Sequence, residues 1–140
     1  MFFKQTVLMA ALSILVWSQP IDLKKLNGAW HLRIMDGMEV RKARAILDFD
    51  IERMKLSGFD GCNRIGGALQ KNSEHNMTVP MLMATKMACR EPIHNWVSQR
   101  LHEALKDGFN VAEDKKNGVE GISIKSPSHE LFFKKMGKTP

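Results

Sequence analysis

From Gly58 to Gly67 the chain reads GFDGCNRIGG, the most unusual stretch in its 140 residues. Four glycines and one asparagine, all residues that readily adopt tight or left-handed backbone conformations, fall within ten positions. We therefore predict a structural turn here, with a positive φ at one or more glycines. The residues assigned to this turn are Gly58, Gly61, Asn63, Gly66 and Gly67.

Downstream of this stretch, residues 91–108 carry the pattern of an amphipathic helix. Apolar side chains recur every three or four residues and form one continuous stripe. Pro92 suits the first helical position, where a missing N–H costs nothing, and Gly108 suits the position just after the last turn. The pattern predicts one helix.

Shorter segments on both sides of the helix are typical of strands, because apolar and polar residues alternate between turn-forming residues. These segments are residues 29–35, 45–50, 53–59, 68–70, 77–79, 110–113, 121–125 and 130–134. Together they predict a mainly β (α+β) fold: a small curled antiparallel sheet or β-barrel-like domain with one amphipathic helix packed against it. Residues 19–140 are expected to form a single domain.

The first 18 residues resemble a secretory signal peptide. Lys4 precedes the uncharged run 6–17, which is too short to span a bilayer as a helix, and the small residue Ser18 follows. We predict cleavage near Ser18 and a periplasmic or secreted protein. A buried N-terminal element and an uncleaved anchor are the alternatives.

The charge of the chain is positive but dispersed. Lys and Arg number 21 against 15 Asp and Glu, a formal net charge of +6. The basic pairs are scattered and no aromatic residues alternate with them, so we expect no nucleic-acid partner. Weak association with an anionic envelope surface is compatible with this charge. We expect a monomer.

The two cysteines, Cys62 and Cys89, each lie in a turn-like segment. In an exported chain they are most simply interpreted as one disulfide, closing a loop in which residues 63–88 are expected to hold little regular structure. Two buried free thiols, or a reactive thiol pair beside Arg90, are the alternatives.

Other chemistry-bearing residues give no catalytic or metal site. His94 and His102 are more than two helical turns apart, too far to chelate one ion. No local context supports a catalytic Ser-His-Asp set. We expect no catalytic residues, no metal and no cofactor.

Methionines are concentrated around Pro80, at Met77, Met81, Met83 and Met87. One interpretation is a loop that packs flexible side chains into the core. Another is an adaptable apolar surface that binds a peptide or hydrophobic ligand. Soft-metal binding by the thioethers is a third. We assign these four residues as the candidate binding surface.

The pairing of the Gly61-Cys62-Asn63 turn with the segment Thr85-Lys86-Met87-Ala88-Cys89 resembles the META domain, or HslJ-like, family of bacterial envelope proteins. Three further landmarks agree: residues 26–30 (LNGAW), 47–49 (LDF) and 131–133 (LFF). The resemblance covers about residues 23–135. One departure is the Ala68-Leu69 pair, where the family commonly has an aromatic residue.

The resemblance implies a small β-barrel-like domain with a helix, and a family associated with heat shock, secretion, antibiotic tolerance and virulence. It brings no agreed catalytic residues. We therefore expect an exported, non-enzymatic protein that contributes to envelope integrity or stress tolerance by binding an envelope protein or hydrophobic ligand. The alternatives are a protease-inhibitor-like module and a thiol-dependent enzyme or redox protein.

Overall fold

The computed structural model describes residues 19–137, with side chains from residue 21 onward. The predicted signal peptide, residues 1–18, therefore lies outside the described residues. Within them, no helix combines the length and apolar character needed to cross a membrane.

Strands are the commonest regular structure among the described residues. The two helices are α1 (Leu23–Leu26) and α2 (Pro92–Asp107), and a 3-10 turn covers Arg41–Ala43. The strands are β1 (Gln19–Pro20), β2 (Gly28–Met35), β3 (Met38–Glu39), β4 (Ile46–Asp50), β5 (Lys55–Phe59), β6 (Arg64–Ala68), β7 (Gln70–Lys71), β8 (Asn76–Thr78), β9 (Met83–Ala84), β10 (Phe109–Lys116), β11 (Val119–Lys125) and β12 (Glu130–Lys135).

All strands belong to one antiparallel sheet. Its main order is β7-β8-β10-β11-β12-β2-β4-β5-β6-β9, with β1 beside β10 and β3 beside β2. Only Leu69 separates β6 from β7, yet the two strands stand near opposite ends of this order. The sheet must therefore curl until its ends approach each other, which confirms the predicted curled, barrel-like architecture.

The core lies inside this curl and under α2. Phe49, Phe109 and Phe133 fill the interior, and α2 buries Val97 and Leu101 against them. Burying side chains of this size contributes roughly 1.5–3 kcal/mol each to stability. The landmarks noted in the sequence all carry core side chains: Leu26, Trp30, Leu47, Phe49, Leu131 and Phe133.

Helix α2 begins and ends where the sequence predicts. Pro92 occupies its first turn, and Gly108 follows its last residue with a φ of 97°. The Thr78 hydroxyl of β8 donates to the carbonyls of Leu105 and Lys106, at 3.1 and 3.0 Å. These bonds satisfy carbonyl groups that a helix end leaves without partners, so the sheet caps the helix.

The glycine-rich stretch differs from the predicted turn. Gly58 lies in β5, and Gly66 and Gly67 lie in β6, so only residues 60–63 reverse the chain. Gly61 does have the positive φ that the turn requires, at 104°. Glycine is needed in the strands for close approach: a Cβ on Gly67 would lie 2.6 Å from Val79 Cγ1. Close packing, rather than a turn, explains Gly58 and Gly67.

Residues 63–88 also hold more regular structure than expected, since they contain β6 to β9. Strands β8 and β9 pair with β7 and β6 respectively, and β8 pairs with β10 as well. The expectation of an irregular loop was therefore wrong. The segment completes the curl of the sheet.

Candidate functional site

Asp60 organises the tight turn between β5 and β6. Its Oδ1 accepts hydrogen bonds from the backbone N–H groups of Cys62, at 2.7 Å, and Asn63, at 2.6 Å. This is the local side-chain-to-backbone pattern that makes aspartate a turn former. The residue is fully buried, so the turn is held from inside the protein.

The other oxygen of Asp60 faces helix α2. Ser98 Oγ donates to Oδ2 at 2.8 Å and His102 Nε2 at 2.6 Å. One helical turn earlier, His94 Nδ1 donates to the Gly61 carbonyl at 2.8 Å. The three helix residues are spaced four apart and share one face. We call Asp60, Ser98 and His102 the buried junction, because they fasten the helix to the turn.

Two opposing effects act on the Asp60 carboxyl. Burial raises its pKa, whereas the hydrogen bonds from His102, from the Asn63 and Cys62 backbone and from Ser98 lower it. The net effect holds the pKa of Asp60 below its usual range. The carboxyl is therefore an anion at neutral pH, stabilised by four donors.

The buried junction holds a serine, a histidine and an aspartate but lacks the geometry of a nucleophilic triad. In a triad the histidine bonds the serine hydroxyl and takes its proton. Here Ser98 and His102 both donate to Asp60. No histidine is bonded to the hydroxyl, so these three residues are not arranged as a nucleophilic triad.

The predicted disulfide between Cys62 and Cys89 is present, with the two Cα atoms 4.7 Å apart. That separation is normal for a disulfide. Cys62 is buried beside the junction, whereas Cys89 is exposed. Both cysteines of the chain are engaged in this bond, so neither is a free thiol.

The chain between the strand Asn76–Thr78 and helix α2 carries exposed methionines. The exposed fractions of Met81, Met83 and Met87 are 79 %, 71 % and 54 %. Met77 is 2 % exposed and belongs to the core, so assigning it to the binding surface was wrong. We call residues 81–87 the Met segment.

A groove of about 540 Å³ lies beside the disulfide. Phe59, Met87 and the Cys62 side of the turn form its apolar part, and Lys42, Arg44 and Arg90 also line it. Glu91 is the acidic residue in this lining. The groove lining therefore combines apolar side chains with three cations and one carboxylate.

Positive charge also collects around His31, and Arg44 belongs both to this group and to the groove lining. Burial lowers the pKa of His31, and the nearby cations Arg33, Arg41 and Arg44 lower it further. Arg44 adopts a left-handed backbone conformation, with φ of 58°, which is uncommon for a non-glycine residue. This strained residue is one of the cations that line the groove.

A second contact between helix and sheet lies far along α2. His129 Nδ1 donates to Asp36 Oδ2 at 2.7 Å, and His129 Nε2 donates to Glu103 Oε1 at 2.6 Å. Burial lowers the pKa of His129, but its hydrogen bonds to the Glu103 and Asp36 carboxylates and their negative charges raise it more, so the net pKa is raised. We call these three residues the His129 clip.

Sequence reasoning missed both of these helix contacts. For the buried junction a signal existed, since Asp60 precedes the Gly-Cys-Asn turn and Ser98 and His102 share a helix face. The His129 clip has no such signal in the sequence, because three segments that lie far apart in the chain supply its residues. Within residues 19–137, no group of three or more His, Cys, Asp or Glu is arranged to hold a metal ion.

Comparison with known proteins gives a family and a fold. A comparison with curated proteins returned no match. Two NMR structures are similar to the chain. One is 24 % identical, with a TM-score of 0.65, and the alignment covers 81 % of this chain and 94 % of that one. The other, from Burkholderia xenovorans, is 21 % identical, with a TM-score of 0.62 and coverage of 94 % and 100 %.

At these identities the two structures support the fold alone. The family rests on a sequence model described as the META domain, which matches residues 22–135 and so spans all the landmarks noted in the sequence. The chain belongs to the META domain family.

Proposed function

We propose that this chain is an exported, non-enzymatic binding protein that contributes to envelope integrity or stress tolerance. Its binding surface is the Met segment together with the groove beside the disulfide. The partner is an envelope protein or a hydrophobic ligand. The observation that carries the proposal is the exposure of Met81, Met83 and Met87 on one short segment.

Exposed methionines at such density favour binding over packing. Within the described residues, the large apolar side chains that stand exposed are all methionines, and three of the five lie in the Met segment. Methionine is unbranched and polarizable, so a methionine surface adapts to partners of different shape. The neighbouring groove adds a concave surface with apolar side chains in its lining, a common form of ligand site.

Two observations support export and a role without catalysis. A disulfide persists in oxidising compartments such as the periplasm, and the Cys62–Cys89 bond fits that environment. Ser98 and His102 are both hydrogen-bonded to Asp60, which favours a structural role for the buried junction.

A site-specific photocrosslinker tests this proposal in living cells. Placed at Met83, it should form a discrete adduct with an envelope component. The matched control is Lys125, an exposed residue of β11 outside the groove and the Met segment. An adduct at Lys125 but not at Met83 would contradict the proposed surface.

The protease-inhibitor-like alternative is favoured by one observation. Residues 83–92 are exposed throughout, and the disulfide at Cys89 and the bond from Met87 N–H to Asn63 Oδ1, at 2.6 Å, fix their base. An exposed segment with a fixed base is a shape that a peptidase cleft can accept. Inhibition of peptidases by the purified protein, lost after Lys86→Glu, would support this alternative.

A further inference from the structure

We propose that the groove and the adjoining free edge of β9 bind an extended acidic peptide, which adds to the sheet as a further strand and places its carboxylates over Lys42, Arg44 and Arg90. This inference rests on the proposed function and deepens it by naming the class of partner. Binding of such a peptide requires three features of the protein: an unpaired backbone edge, apolar side chains beside that edge, and positive charge that is not already paired.

The unpaired edge lies at β9. This strand is last in the sheet order and pairs on one side with β6, with Ala84 opposite Ile65. Thr85 N–H donates to the Arg64 carbonyl at 3.0 Å, and Met87 N–H donates to Asn63. Successive N–H groups of an extended chain point to opposite sides. The N–H groups of Ala84 and Lys86 are therefore directed away from the sheet.

Apolar contacts line the same edge. Met83 and Met87 are four residues apart, an even spacing that places both on one face of an extended chain. Both are more than half exposed. In strand addition, backbone hydrogen bonds supply affinity and alternate side chains supply specificity. The apolar side chains of an added peptide would lie against these methionines.

The charge of the groove selects an acidic peptide. Among the described residues, no carboxylate lies within 4.0 Å of the charged groups of Lys42, Arg44 or Arg90, since none of the ion pairs includes them. Complementary charge steers association and suppresses wrong partners.

The experiment uses a blocked hexapeptide of alternating Glu and Val, with a Lys-Val peptide as the control of opposite charge. The Glu-Val peptide should bind the purified protein and slow amide exchange at Ala84 and Lys86. Double charge reversal, Arg44→Glu with Arg90→Glu, should weaken binding at least tenfold. The control Lys125→Glu should change it less than twofold.

A second variant, Ala84→Pro, removes the outward N–H without removing a bond to β6, and proline is tolerated at such edge positions. It should weaken peptide binding at least tenfold while the melting temperature is kept. Absence of Glu-Val peptide binding, or binding without slowed exchange at Ala84 and Lys86, would overturn the inference.

One further outcome separates this inference from its rivals. Binding to phosphatidylglycerol vesicles, lost on charge reversal but kept in Ala84→Pro, combined with no peptide binding, would overturn strand addition in favour of a lipid surface. If the Met83 crosslinker still forms its adduct in cells, only the peptide inference fails. If that adduct is also absent, the proposed function fails with it.

Discussion

The Cys62–Cys89 disulfide joins two segments with opposite physical characters. Residues 60–63 are buried or half-buried, and Asp60 alone receives four hydrogen bonds. Residues 83–92 are exposed throughout, and their two-residue strand pairs on one side. The first segment fixes the position of the disulfide and the helix. The second extends from that fixed base and carries the binding surface that we propose, so the residues that stabilise the fold differ from those assigned to binding.

Removal of Asp60 should have the largest effect on the buried segment. Asp60→Ala leaves two backbone N–H groups, Ser98 and His102 without their shared acceptor. Breaking a buried charged network of this kind lowers the free energy of unfolding by about 3–5 kcal/mol. Urea unfolding of the variant and the unmodified chain measures this loss. The control Asp48→Ala removes an exposed carboxylate and should cost less than about 0.5 kcal/mol. Equal effects of the two substitutions would refute the role given to Asp60.

Loss of the disulfide should rank next. Cys62→Ala and Cys89→Ala should each lower the free energy of unfolding by about 3–4 kcal/mol, since either opens the same loop. The double variant should cost no more than either single one. Thiol titration of the denatured, non-reduced protein supplies the check, and two free thiols per chain would disprove the bond.

Substitution of Gly58, where two strands approach closely, should cause a smaller loss of stability. A Cβ at this position would overlap the carbonyl oxygen of Ile46 on the neighbouring strand. Gly58→Ala should therefore destabilise by more than about 1 kcal/mol. Gly66→Ala is the matched control, since its Cβ would lie 3.4 Å from the Leu56 carbonyl oxygen, an ordinary contact. Similar melting temperatures for the two variants would rule out this explanation.

The His129 clip should have the smallest effect, and its pH dependence has a definite sign. The folded pKa of His129 is raised above 6.5, so its stabilisation is complete below about pH 6.5 and is lost as pH rises through the folded pKa. With Glu103 exposed, we expect less than about 1 kcal/mol. The difference in the free energy of unfolding between pH 5.5 and pH 8.5 should be smaller in His129→Gln than in the unmodified chain. The same difference in both would contradict the assignment.

Asp60 should act in the opposite direction at low pH. Its folded pKa is lowered below 3.8. Its contribution is therefore present above about pH 3.8 and is lost as pH falls through the folded pKa. The buried junction and the His129 clip can thus be separated by acid and alkaline titrations of one protein.

Much of this fold could be predicted from local sequence patterns, but less of the candidate site could. Helix α2 was predictable because an apolar stripe, Pro92 and Gly108 all act within one segment. Strands β6 and β9 were not predictable. The glycines of β6 hide its alternating pattern, and β9 is only two residues long and exposed. Met77 and Met83 have the same chemistry in the sequence, and only the curl of the sheet decides that one is buried and the other exposed.

The most direct test replaces the exposed methionines and measures stability and binding in the same variant. Met81→Ser, Met83→Ser and Met87→Ser combined should leave the melting temperature nearly unchanged, because exposed side chains contribute little to the folded state. A photocrosslinker placed at Lys86 in this triple variant should form no adduct with the envelope component, whereas the same crosslinker in the unmodified chain should form one. An unchanged adduct in this variant, or a melting temperature that falls as far as in Asp60→Ala, would contradict the separation of binding from stability.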